Sequence, residues 1–158
     1  MPPFRRPLRR KRRVLAVASG GGHWVQLLRL RPAFEGAEVH YATVDPSARE
    51  TVAPAPVHLY PDANKDTKLR LLLTALRLAV IVARVRPDVV ISTGAAGGYL
   101  AIRMARLLGA RTVFLDSIAN TRQLSVSARL AQRAADLVLS QWPAVAARSG
   151  AEYRGAVL

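Results

Sequence analysis

The sequence predicts an α/β fold, a Rossmann-like and mostly parallel sheet with helices on both faces. Three observations point there. Short apolar runs rich in strand formers alternate with segments of helical periodicity along the chain, the pattern of a parallel sheet covered on both sides. Val14 to Leu30 reads as strand, glycine turn and helix, because Ser19-Gly20-Gly21-Gly22 separates the run Val14–Ala18 from Trp24, Leu27, Leu28 and Leu30 at helical spacing. A second small-residue turn, Ser92-Thr93-Gly94-Ala95-Ala96-Gly97-Gly98, follows the apolar run Val89-Val90-Ile91.

Taken in order, residues 1–12 are expected to be a disordered basic tail, rich in proline and arginine. Residues 13–158 form one domain, consistent with a 158-residue chain that is 51% hydrophobic. Arg31-Pro32 closes the first helix, and Glu38–Val44 alternates as a second strand. Asp45-Pro46-Ser47 is a turn. Pro54–Tyr60 suggests a third, shorter strand at an edge, where prolines need not donate to a ladder. Asp66–Arg86 is the longest helical pattern, and Pro87-Asp88 ends it. After the second turn a helix is expected over Tyr99–Leu108, with Gly109 at its C-cap. A strand over Arg111–Leu115, the loop Asp116–Asn120, a helix over Ser125–Ala135 and a strand over Asp136–Ser140 complete the alternation. Trp142-Pro143 opens a short final segment.

Net charge is +14. Residues 1–13 carry seven basic side chains and no acid; subtracting those seven from 24 leaves 17 basic against 10 acidic residues in the remainder. Such a balance attracts lipid headgroups, nucleic acid or phosphorylated substrates. Aromatics are 6% and no nucleic-acid motif is present, which argues against a nucleic-acid-binding protein. A polybasic tail gains about 1 kcal/mol per Lys or Arg near an anionic leaflet, so Arg9, Arg10, Lys11 and Arg12 are candidate membrane contacts. In the long helix Arg70, Arg77 and Arg84 recur every seven residues and form one stripe. Leu72, Leu76, Ala79 and Ala83 lie on another face. An apolar helix with a basic stripe suits an interface, although a buried helix with snorkelling arginines has the same pattern. The expectation is that this helix and the tail form one docking face on the cytoplasmic side of the plasma membrane. No apolar run reaches the ~20 residues a bilayer span needs, and no secretory signal is apparent. Cysteine is absent and His23, His40 and His58 stand singly, so neither a metal nor a cysteine nucleophile is expected.

The two glycine turns and the Asp116 loop each follow a strand. In a parallel sheet they share the carboxyl edge, where ligands bind beside the point at which strand order reverses. A glycine turn opening a helix presents bare N–H groups and the positive end of the helix dipole to an anion. The first turn is neither a full GxGxxG nor a P-loop. His23, at the helix start, is a candidate base toward a substrate hydroxyl or a structural histidine. Asp116 is a candidate for orienting a sugar hydroxyl or partnering His23, or a turn cap.

A resemblance rests on Ala18–Leu27, Ser92-Thr-Gly-Ala-Ala, Leu115-Asp-Ser-Ile-Ala-Asn, Ser125-Val-Ser-Ala-Arg-Leu, Asp136-Leu-Val-Leu-Ser-Gln-Trp142 and Tyr153-Arg-Gly-Ala-Val157, in that order. The set resembles PssD-type polysaccharide biosynthesis proteins of bacteria. These are similar to the membrane-anchoring subunit of the split N-acetylglucosaminyltransferase of eukaryotic N-glycan assembly. Both resemble the N-terminal half of MurG, a GT-B glycosyltransferase. The resemblance implies a half-enzyme, active only with a second polypeptide that holds most of the UDP-sugar donor and resembles the C-terminal GT-B half. It implies a lipid-linked diphosphate sugar as acceptor and no cofactor. Ser19, Gly20, Gly21, Gly22, Ser92, Thr93, Gly94, Gly97, Asp116 and Asn120 would line the acceptor cleft, and His23 matches the histidine of the MurG glycine loop. Asp116 departs from MurG, which has a glutamate there within a His-Glu-Gln-Asn run. By the resemblance, the basic tail would take the place of the eukaryotic subunit's membrane-spanning N-terminus. Alternative readings are a non-catalytic anchoring module and a stand-alone nucleotide-binding enzyme, whose only ribose-binding candidate is Asp45.

Overall fold

The computed structural model describes residues 10–62 and 68–157. Arg9, most of the tail and the first residues of the expected long helix lie outside them. Seven strands form one sheet: β1 (Arg13–Val17), β2 (Glu38–Thr43), β3 (Val57–Leu59), β4 (Val89–Ser92), β5 (Arg111–Leu115), β6 (Leu137–Ser140) and β7 (Glu152–Tyr153). Their spatial order is β3-β2-β1-β4-β5-β6-β7, and every neighbouring pair is parallel. Strand order therefore reverses between β1 and β4.

Alternation along β1 divides the core. Leu15 and Val17 point to the face covered by α3 (Lys68–Val85), α4 (Ala95–Leu107), α5 (Val126–Ala131) and α6 (Pro143–Ser149), where Leu78, Ile81, Ile102, Phe114, Ala128 and Val145 join them. Val14, Ala16 and Ala18 point to the other face, under α1 (Gly22–Arg29), a 3₁₀ turn at Arg31–Phe34 and α2 (Ala48–Val52). A strand buried on both sides reads as a continuous apolar run, as Val14–Ala18 does.

The structure departs from the sequence reading at several elements. α2 and α6 form where no helix was assigned. β7 adds a two-residue edge strand to the final segment. α5 is half the expected length and ends at Ala131. α4 begins at Ala95, four residues early, so Gly97 and Gly98 belong to its first turns rather than to a loop. β3 does lie at the sheet edge, as its prolines required.

α3 runs opposite to the strands. Thr74 Oγ1 donates to the Pro61 carbonyl at 2.7 Å and Arg77 Nε to the Leu59 carbonyl at 3.0 Å, both just at or beyond the end of β3. At the other end Arg13 Nη1 donates to the Val85 carbonyl at 3.0 Å, where β1 begins. The N-terminal half of α3 thus belongs to the carboxyl rim of the sheet.

Candidate functional site

Both glycine turns leave the sheet at the reversal point. The first runs from β1 into α1, whose N-cap Gly21 has φ 62°; the second runs from β4 into α4, whose N-cap Gly94 has φ 140°. Both angles lie where side chains are rarely tolerated. No side chain caps either helix. Two helix N-termini with uncapped first turns therefore share one rim, and their dipoles add to a positive local field.

The turns are bonded to each other through His23. Its Nδ1 lies 2.9 Å from the Thr93 carbonyl oxygen, and the Thr93 hydroxyl donates back to the His23 carbonyl at 2.6 Å. A carbonyl only accepts, so Nδ1 carries the hydrogen and Nε2 of the neutral ring keeps its lone pair. A Cβ at Gly94 would lie 2.4 Å from the imidazole. Glycine is required there by contact as well as by φ, and the ring packs directly on the second turn.

Several expected contacts are occupied by internal bonds. Ser92 and Thr93 are fully buried. The Ser92 hydroxyl accepts from the Gly94 N–H at 3.2 Å and the Thr93 hydroxyl is held by His23. Both side chains are turned into internal bonds. Gly97 faces inward, against the Tyr60 ring. Asp116 is 2% exposed, and its two oxygens accept from Asn120 Nδ2 and from the Ser125 N–H, each at 2.9 Å. It fixes its own loop and the start of α5 rather than reaching His23. Asn120 is likewise committed to Asp116. Ser19, Gly20, Gly21 and Gly22 remain on the rim, with Gly21 and Gly22 exposed and open space where their Cβ atoms would be.

Two buried glutamines that sequence reasoning missed tie the rim together. Gln26 Oε1 accepts from the Ile118 N–H and from Gln141 Nε2, while its amide donates to Ser117. Gln141 also donates to the Asp116 carbonyl at 2.9 Å and accepts from the Val157 N–H at 2.8 Å. α1, the Asp116 loop and the chain beyond β7 are thereby locked in one arrangement. No spacing or composition distinguishes these residues from solvent-facing glutamines.

The basic groups divide between the two ends of the molecule. Arg70, Arg77 and Arg84 are exposed along α3, as the heptad spacing predicted. Beside them are Leu69, Leu72, Leu73 and Leu76, with exposures of 68, 54, 49 and 56%. The buried seam of α3 is Thr74, Leu78, Ile81, Val82 and Val85, so the helix is not wholly enclosed. Arg10, Lys11 and Arg12 emerge instead at the amino end of the strands, where Arg10 pairs with Asp88 at 2.7 Å. Of the docking face expected from tail and helix together, Arg10 and Arg13 lie near the C-terminus of α3, where Arg13 bonds the Val85 carbonyl and Arg10 bonds Asp88. The histidines are not all isolated either. His40 Nδ1 lies 3.1 Å from His58 Nε2, with Glu38 on the far side of His40. Among the described residues no group of three His, Cys, Asp or Glu side chains is placed to hold a metal ion, and no helix is long and apolar enough to cross a membrane.

A cavity of about 760 Å³ lies at the amino end of the strands between Arg12, Arg86 and Arg111. It is remote from both glycine turns.

A family model described as "Oligosaccharide biosynthesis protein Alg14 like" matches residues 61–157. The match includes the second turn and the Asp116 loop and begins after the first turn. No curated protein matches the sequence. Among solved structures, MurG from Acinetobacter baumannii is similar with a TM-score of 0.67 and 16% identity, over 84% of this chain and 42% of that one. UDP-N-acetylglucosamine 2-epimerase from Rickettsia bellii is similar with a TM-score of 0.73 and 12% identity, over 93% of this chain and 45% of that one. HepE from Anabaena, in complex with UDP and glucose, gives 0.60 and 16%, over 91% and 44%. These likenesses establish the fold as that of one half of a GT-B glycosyltransferase or epimerase. The chain spans less than half the length of the three structures it resembles here.

Proposed function

Because the chain belongs to the Alg14-like family of oligosaccharide biosynthesis proteins, we propose that it is the membrane-associated subunit of a two-component glycosyltransferase. In this reading it binds a lipid-linked diphosphate sugar acceptor at the glycine rim, on the cytoplasmic face of the plasma membrane. It recruits a second polypeptide, resembling the C-terminal GT-B half, that holds the UDP-sugar. The products are exopolysaccharide, capsule or glycolipid.

One observation carries the reading: the two glycine turns meet at the carboxyl rim, and the leucine-rich end of α3 reaches the same rim. Diphosphate favours the uncapped helix starts. A lipid tail favours the exposed leucines, each worth ~1.5–3 kcal/mol if fully removed from water. Arg70 and Arg77, exposed on the same helix, supply cations for headgroup phosphates. One ligand with an anionic head and an apolar tail satisfies both features.

In the proposed reaction, backbone N–H groups of the turns hold the diphosphate. His23 Nε2 takes the proton from the acceptor hydroxyl as its oxygen attacks the anomeric carbon of the UDP-sugar, and UDP leaves. Nδ1–H, bonded to Thr93, fixes the tautomer and orients the ring, the role a second partner plays for any general-base histidine.

The test is reconstitution. The purified chain, mixed with vesicles containing anionic phospholipid and a prenyl-diphosphate sugar, is expected to transfer sugar from the UDP donor only when the partner polypeptide is added. Transfer by the partner alone at the full rate would remove the proposal.

A further inference from the structure

Tyr60 follows β3 at the carboxyl rim, is 4% exposed, and its hydroxyl oxygen is buried with no hydrogen-bond partner. It is the one such side-chain atom among the described residues. Its main-chain N–H is conventionally placed, donating to the Thr43 carbonyl at 3.1 Å. The ring reaches across the sheet to the first turn of α4. A Cβ at Gly97 would lie 2.6 Å from Tyr60 Cε2 and 2.9 Å from the hydroxyl oxygen. Glycine at 97 is thus the condition for the phenol to lie against that turn.

Packing alone does not account for the hydroxyl. A phenylalanine would fill the same space, whereas a buried hydroxyl gives up its bonds to water and recovers nothing unless a partner arrives. The α4 turn beside it lacks a side-chain cap. Two independent features therefore converge, a 13-residue helix with a bare N-terminus and an orphaned donor against its third residue. Burial, and secondarily the charge of Asp62, push the phenol's pKa well above its ordinary value. The group stays protonated at any physiological pH and can donate.

We propose that the Tyr60 hydroxyl is a ligand-binding group that donates to a phosphoryl oxygen of the acceptor's diphosphate, seated on the first turn of α4. This rests on the reading that the glycine rim holds a lipid diphosphate, and it adds a side-chain donor to a cradle otherwise made of backbone. Occupancy of the site gives the hydroxyl the partner it lacks in the free chain, with the ring yielding slightly at the Gly97 contact.

The experiment compares the full chain with Tyr60→Phe by calorimetric titration with farnesyl diphosphate and, separately, with UDP, alongside the melting temperature of each unliganded protein. The expected result is a farnesyl diphosphate Kd weakened about tenfold or more, an unchanged UDP Kd, and an unliganded melting temperature equal to or above wild type. Equal farnesyl diphosphate affinity in the two proteins would overturn the role of Tyr60 and leave the glycine-rim reading intact. A melting temperature lowered by several degrees would overturn it too, because the hydroxyl would then have a structural partner. Weakening of UDP alone would reassign the contact to the donor and overturn the acceptor assignment. Wild-type protein that binds neither diphosphate would bring down the underlying reading and this inference with it.

Discussion

His23 is held by two bonds, and only one of them uses its ring. The other runs from the Thr93 hydroxyl to the His23 carbonyl, so replacing the side chain leaves half of the clip in place. This permits a clean separation of structural and catalytic roles. Asparagine at 23 can still donate an amide hydrogen to the Thr93 carbonyl, in the place of Nδ1–H, but offers no base where Nε2 stood. His23→Asn is expected to lower kcat by about 10²–10⁴, the range a positioned general base contributes, with KM and melting temperature little changed. Stopped or continuous transfer assays with the partner present would measure it, and an unchanged kcat would reduce His23 to the clip. The histidine was legible in the sequence because a glycine turn followed by a helix fixes where the next side chain goes. Ser92, Thr93, Asp116 and Asn120 were legible as members of the rim but not in their roles. A hydroxyl or carboxylate near a turn bonds either the ligand or the turn, and only geometry decides; here Gly94, His23 and Ser125 claim them.

At the scale of elements, the strands were read well because β1 is buried on both faces and β4 is buried on one and half-buried on the other, so both show as apolar runs. Helix ends were read less well. Low intrinsic propensity places Gly97 and Gly98 in a loop, yet they lie inside α4, at positions where Tyr60 and the Ser92 hydroxyl leave no room for a side chain. Tertiary contact overrode propensity. The pairing of β2 with β3 brought His40 and His58 together in a way no sequence spacing announces. Their rings stack with centroids 5.4 Å apart. Burial, then the charges of His40, Arg77 and Arg84, hold the His58 pKa below its ordinary value. The folded state therefore resists protonation that the unfolded chain accepts near pH 6.5. By linkage, stability from this site is full above that pH and declines as pH falls from about 6.5 through the lower folded value. Carboxylates titrate mostly below this window, near pH 4. Urea unfolding between pH 8 and pH 5 is expected to show the decline, and His58→Gln to flatten it. A His58→Gln slope matching wild type would place the decline elsewhere.

For the whole molecule, the parallel sheet sets which features can share a surface. Every strand starts at one end, so residues preceding β1 emerge at the amino edge, while loops that follow strands gather at the carboxyl edge. The basic residues Arg10–Arg12 and the glycine turns are thereby placed at opposite ends, which sequence order alone conceals. α3, 18 residues and about 27 Å long at 1.5 Å per residue, runs between the two. Its exposed leucines lie toward the glycine rim and Arg84 toward the tail, so a membrane contact that serves the acceptor must be made by the leucine end. Leu72→Glu combined with Leu76→Glu tests this without touching the core, since both side chains are more than half exposed. The double variant is expected to fold with an unchanged melting temperature and to lose at least tenfold in binding to anionic vesicles. With the partner present, it should retain turnover of a short-chain, water-soluble acceptor while losing turnover of one embedded in a bilayer. Retained vesicle binding, abolished instead by Arg10→Glu, Lys11→Glu and Arg12→Glu together, would move docking to the amino end. The glycine rim would then face away from the lipid, and an acceptor would have to leave the bilayer to reach it.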